Sequence, residues 1–173
     1  MTQPVFDYIA YDDFLAIVRN LAQVVGTGDW KPDFVVGVGR GGLVPAVYIS
    51  QSLDVPMLSI DQSAKVPGFA DELLVKLATM TKAGQRIVII DDINDSGRTI
   101  AALRRLLRAH ETVEENLRFA VMINNAVSQE TVDYAVQTID RTTDKRWFVF
   151  PWEAVNTEET LAGQAQEVPE RLA

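Results

Sequence analysis

At 173 residues, 47% of them hydrophobic, the chain is long enough to close one core and too short to require two. Its 16 Lys and Arg against 24 Asp and Glu leave a net charge of -8, which opposes a nucleic-acid or anionic-membrane surface, so any phosphate must be held by local groups. With no Cys, thiol nucleophiles, disulfides and thiolate metal sites are excluded, and the single His110 cannot build a histidine metal cluster or a linked triad.

The N-terminal MTQPVFDYIAYDD is acidic where a leader would be basic, and no apolar run reaches the roughly 18 residues of a membrane span, so a cytoplasmic protein is expected. From Tyr11 to Gly26, Phe14, Ile17, Val18, Leu21, Val24 and Val25 recur at helical spacing, with Asp12 or Asp13 as cap and Gly26 as stop. The β-branched run Phe34–Val38 predicts a strand, the cluster GVGRGG (37–42) a tight loop, and LVPAVYISQSL a helix with Pro45 in its first turn. Pro56–Ile60 reads as a second strand. DQSAKVPGFADE then reads as a surface loop, whose segment Lys65–Asp71 is expected to close over a site.

LLVKLATMTKAG fits strand or helix, because Leu73, Val75 and Leu77 alternate while the following Ala and Met suit a helix. Arg86–Ile90 is a continuous apolar run, as in a strand buried on both faces of a parallel sheet, and it leads into DDINDSGRT. A helix follows, with Ile100, Leu103, Leu106 and Leu107 as its apolar stripe and Arg104, Arg105 and Arg108 on the wet side. Leu117–Ile123 predicts another strand, weaker strands fall at Tyr134–Val136 and Trp147–Phe150, and the segment after Asn156 reads as a polar tail. Strands alternating with helices predict an α/β fold with a mainly parallel sheet flanked by helices, its ligand crevice beyond the C-terminal strand ends.

Both segments that carry chemistry lie at that edge. In VIIDDINDSGRTI (88–100), Ser96, Gly97, Arg98 and Thr99 would aim backbone N–H groups and hydroxyls at an anion on a helix N-terminus, and Gly97 permits close approach. Asp91 and Asp92 cannot both be buried without partners, so they should face hydroxyls, a cation, or both. Asp95, at the base of the loop, is a candidate catalytic carboxylate to accept a proton or steady charge on a sugar. The plain alternative is an acidic turn capping a helix. The second segment, VVGVGRGGLVPA (35–46), has Arg40 as its sole charge. Gly37, Gly39 and Gly42 also satisfy G-x-G-x-x-G with Asp61 about 20 residues on, so a dinucleotide-binding oxidoreductase stands as a rival, beside a glycine turn that serves packing alone.

The first segment resembles the phosphoribosyl pyrophosphate (PRPP) motif of type I phosphoribosyltransferases: apolar residues, two acids, two variable residues, then Asp-Thr/Ser-Gly-x-Thr. The resemblance implies that Asp91 and Asp92 contact the ribose hydroxyls with Asp92 near Mg2+, that Asp95–Thr99 holds the 5-phosphate, and that Asp95 is the acid nearest the incoming base. It also implies that Arg40, Gly41 and Gly42 receive the pyrophosphate, which explains both loops with one ligand. KRWFVFPWEAV (145–155) is similar to the Trp-x-x-x-Pro-Trp-acid segment of bacterial xanthine-guanine and archaeal-type hypoxanthine enzymes, implying that Trp147 stacks on a purine and the backbone at Phe148 reads its edge.

Two positions depart from those enzymes. Asn125, in MINNAVS, stands where they carry a lysine on the 6-oxo group, and keeps an amide donor without charge. No arginine occurs between Arg40 and Arg86, which leaves Lys65 as the loop cation toward pyrophosphate. The expectation is a phosphoribosyltransferase domain over 1–155 with a small hood formed by the terminal segments and a polar tail over 156–173. Its partners would be PRPP, a nucleobase of the 6-oxopurine class and Mg2+, without nucleic acid or membrane, in a homo-oligomer, dimer or tetramer, for which Trp152 or the apolar face of the Gly42 helix offers an interface. The alternative outside enzymes is a non-catalytic regulator that senses PRPP.

Overall fold

The computed structural model describes residues 4–61 and 71–167. Strands β2 (Phe34–Val38), β3 (Met57–Ile60), β4 (Ile87–Asn94), β5 (Leu117–Asn125) and β6 (Tyr134–Ile139) form a parallel five-stranded sheet in the order β3-β2-β4-β5-β6. Helices α1 (Tyr11–Thr27) and α2 (Gly39–Leu53) cover one face, and α3 (Asp71–Lys82) and α4 (Arg98–Ala109) cover the other.

Strand alternation decides which residue goes where. In β4, Val88 and Ile90 join Phe14, Leu21 and Ile49 in one core, while Ile87 and Ile89 join Leu74, Leu77, Leu103 and Leu107 in the other. That two-sided burial is why the run Arg86–Ile90 shows no polar alternation. The ambiguous segment LLVKLATMTKAG is helix α3, because Leu74, Leu77 and Ala78 recur at helical spacing against the sheet, all buried.

Strand β1 (Phe6–Tyr8) pairs in parallel with β7 (Trp147–Val149), which joins the two ends of the chain into the small hood. Arg146 fastens it with ion pairs to Asp7 and Asp144, both at 2.7 Å. Beyond it, the segment read as a polar tail contains α5 (Glu158–Gln166): the Thr157 hydroxyl accepts from the Thr160 N–H, and Leu161 and Ala165, one turn apart, are buried. Arg104 also differs from expectation. Instead of facing solvent it pairs with Glu130 at 2.8 Å and lies over the Phe119 ring, whereas Arg105 is exposed. No described helix is long and apolar enough to cross a membrane.

Candidate active site

The chain direction changes at the middle of the sheet. From β2 the crossover runs outward to β3, and from β4 it runs the opposite way to β5, so the space between the C-terminal ends of β2 and β4 is a topological switch point. Strand β2 stops pairing with β4 at Gly37–Ile90, but β4 continues against β5 through Asn94. Asp91 and Asp92 therefore sit on the strand itself rather than after it, along an edge that β2 has vacated.

The glycine cluster is not a separate loop either. Helix α2 begins at Gly39, whose φ of +54° suits glycine, so Arg40–Gly42 make its first turn and Pro45 lies one turn further in than expected. Contacts made at this placement explain the glycines. A Cβ on Gly42 would overlap the Ile90 carbonyl oxygen, and one on Gly41 would overlap the Asp92 carboxylate. The helix can start this close to β4 only without a side chain at Gly42, while Gly41 leaves room for the Asp92 carboxylate.

The resulting cavity has a volume of about 420 Å³. At one end lie Arg40, Gly41, Asp91, Asp92 and Thr99; at the other lie Trp147, Phe148, Phe150 and Arg141, with Glu153, whose carboxylate accepts from the Phe150 N–H at 3.0 Å. Asp91 is pushed well above the usual carboxylate range by burial first and by the neighbouring Asp92 charge second, against a backbone hydrogen bond from Asp92 that lowers it. A second, smaller pocket of about 40 Å³ is lined by Asp95, Ser96, Gly97, Arg98 and Thr99, and it shares Ile93 and Thr99 with the first. Gly97, at φ +84°, caps α4, and a Cβ there would meet the Glu130 N–H nitrogen at 2.8 Å. Asn94 braces this loop by donating to Asn124 and to the Glu130 carbonyl, while Ser128 donates to it.

The expected site residues are thus gathered at one sheet edge, with three exceptions. Lys65, with most of the segment expected to close over the site, lies outside the described residues. Asp95 does not offer its carboxylate to the large cavity; it is 5% exposed, and both oxygens accept from Arg141, at 3.0 to 3.2 Å. Asn125 does not line the cavity, because its amide is spent inside: Nδ2 donates to the Asp95 carbonyl, and Oδ1 accepts from the backbone N–H groups of Val127 and Arg141. Arg141 and Glu153 are cavity residues that sequence reasoning missed. Trp152, considered above for an interface, stacks on Phe150 at 4.9 Å and meets Phe14 edge-on, so its ring serves packing within the chain.

Asp91 and Asp92, which both line the cavity, also suit a divalent cation. Among the described residues no three or more His, Cys, Asp or Glu converge as a metal cage. Asp91 and Asp92 nevertheless form the hard-oxygen set from which Mg2+ is commonly held, one or two carboxylates completed by phosphate oxygens and water.

Comparison with known proteins agrees with this arrangement. Xanthine-guanine phosphoribosyltransferase of Cereibacter sphaeroides is 31% identical over 154 residues, 86% of this chain and 84% of that protein. The crystal structure of a purine phosphoribosyltransferase from Pyrococcus horikoshii superposes with a TM-score of 0.65 at 26% identity, covering 87% of this chain and 96% of the other. The xanthine-guanine-hypoxanthine phosphoribosyltransferase of Helicobacter pylori shares the fold, with a TM-score of 0.61 at 21% identity over 86% and 93% of the two chains. The family model of the phosphoribosyl transferase domain matches residues 10–156, from the start of α1 to just past the tryptophan segment, and the chain belongs to that family.

Proposed function

We propose that this phosphoribosyltransferase moves ribose 5-phosphate from PRPP onto a 6-oxopurine and releases pyrophosphate. One observation carries the reading: a single cavity has an anion-and-diol end built from α2, β4 and the α4 loop, and an aromatic end built from the hood. Those ends match a phosphorylated sugar and a planar base, brought together at the switch point. The named activities of the relatives support the same substrates.

In this reading the small pocket at Ser96–Thr99 seats the 5-phosphate, Asp91 and Asp92 take the ribose hydroxyls, and Arg40 with the Gly41 backbone receives pyrophosphate. Trp147 and Phe148 fix the plane of the base. A base nitrogen forms its bond to C1′ as the bond from C1′ to the pyrophosphate oxygen breaks; pyrophosphate leaves with the electron pair, and the nitrogen sheds its proton. The protein contributes alignment and charge compensation more than covalent chemistry. Asp91 and Asp92 would hold Mg2+, which when bound compensates charge on the departing pyrophosphate.

Self-association belongs to the same proposal, with Leu43 and Val47 of α2 facing solvent; sedimentation equilibrium would read it, and a single monomeric species would remove it. The test of the function is product identity. Incubation with PRPP, Mg2+ and hypoxanthine or guanine should yield the nucleoside 5′-monophosphate, whereas titration with a nicotinamide dinucleotide should show no binding. Dinucleotide binding without nucleotide formation would reverse the assignment.

A further inference from the structure

The aromatic end of the cavity contains a cation that no motif in the sequence marks. Arg141 is only 7% exposed, yet it lines the cavity beside Trp147 and Phe148. A guanidinium has five N–H donors and cannot shed its charge. Here Nε donates to both oxygens of Asp95, at 3.1 and 3.2 Å, and Nη2 donates to Asp95 Oδ2 at 3.0 Å. Nη1 uses two hydrogens on the carbonyls of Asp144 and Arg146, at 3.1 and 2.6 Å. Four of the five donors are accounted for, and one Nη2 hydrogen remains on a nearly buried group that borders the cavity. A buried donor left without an acceptor is costly, which makes this one a candidate for a ligand.

The head is also fixed in orientation. Its guanidinium carbon stands 5.1 Å from the Phe148 ring centroid, the Arg141 backbone N–H is held by Asn125, and Asn125 in turn holds the Asp95 carbonyl. Asp95 compensates the positive charge, so what this arrangement presents is a directed hydrogen bond rather than an unbalanced cation. Among the described residues that line the cavity, Arg40 is the other base, and it sits in the first turn of α2 at the opposite end.

We propose that Arg141 is a specificity-determining residue for the base: its remaining Nη2–H donates to an oxo group on the edge of the heterocycle, with Asp95 and Asn125 as positioning residues. The inference rests on the transfer reading above. An oxo group completes the donor set, an unsubstituted carbon leaves the donor unpaired, and an exocyclic amine sets N–H against N–H. The site therefore selects 6-oxopurines over unsubstituted purine and over adenine.

The experiment compares kcat/KM for hypoxanthine and for unsubstituted purine, together with the PRPP dissociation constant. The wild-type protein and the single substitution Arg141→Met, which removes the guanidinium and leaves the phosphate-pocket residues in place, are measured side by side. Wild type should prefer hypoxanthine by at least about tenfold, the usual effect of leaving a buried charged donor unpaired. Arg141→Met should bring the two bases within about threefold of each other while PRPP affinity shifts by less than about threefold. Retention of the wild-type ratio in the variant, or a loss of PRPP affinity as large as the loss of preference, overturns the role of Arg141 and leaves the transfer reading standing. Should the variant not fold, the wild-type ratio still decides, since equal use of the two bases overturns the inference. Failure of the wild-type protein to transfer to any purine overturns both readings.

Discussion

Asp95 shows how the same residue type serves different ends according to its partner. Its carboxylate is nearly buried and engaged on both oxygens by an equally buried guanidinium, which fixes the orientation of Arg141. Substituting Asn leaves the guanidinium buried without its counter-charge, and denaturant unfolding of Asp95→Asn should show a loss of about 3–5 kcal/mol. A change below about 1 kcal/mol would mean that the pair contributes little. At the hood, Asp144 is held below the usual carboxylate range, chiefly by its hydrogen bond from Arg146. A depressed folded value means that the associated stability is complete above the ordinary carboxylate pKa of about 4 and fades as the pH falls through the lower folded value. Asp144→Asn should therefore flatten the stability profile below about pH 4 and leave its slope near neutrality unchanged, as read from thermal unfolding across pH. An unaltered acid limb would contradict the assignment.

At the scale of elements, the register of α2 against β4 is the device that shapes the site, and its two glycines should respond differently to a methyl group. At Gly42 the obstacle is the Ile90 carbonyl of a central strand, which cannot retreat; at Gly41 it is the movable Asp92 side chain. Gly42→Ala should thus destabilise the fold by about 1–3 kcal/mol, the usual range for overpacking. Gly41→Ala should largely spare stability but weaken PRPP binding by displacing Asp92. Thermal unfolding and calorimetric titration separate the two, and equal effects of both substitutions on both readouts would contradict the geometry. The same element shows where sequence reasoning stops. The residues Arg40–Gly42 were legible as a glycine turn after a strand, but their being helical was not, because the contact that demands glycine comes from a strand some 50 residues away. Likewise α5 has ordinary signals, a Thr cap and an apolar pair one turn apart, in a composition polar enough to read as a tail.

For the whole molecule, the doubly wound order β3-β2-β4-β5-β6 brings two motifs far apart in sequence to one crevice, while parallel pairing of β1 with β7 sets the tryptophan segment above it. Most of this was readable, since apolar runs, glycine turns and paired acids report local geometry. The identity of the cation at the aromatic end was not. Arg141 and Asp95 are 46 residues apart, and nothing local distinguishes Arg141 from Lys145 or Arg146 in the same stretch. Asn125 was assigned to the base by position, whereas the strand end turns its amide inward to bind the backbone of Arg141. The measurement that bears most directly on the central claim, that one cavity joins PRPP to a base, is pyrophosphate release from PRPP and Mg2+ with hypoxanthine, guanine, xanthine, adenine, uracil and orotate supplied in turn. Release that depends on the base and is greatest with the three 6-oxopurines is the predicted result; bound PRPP with no release for any base would contradict it.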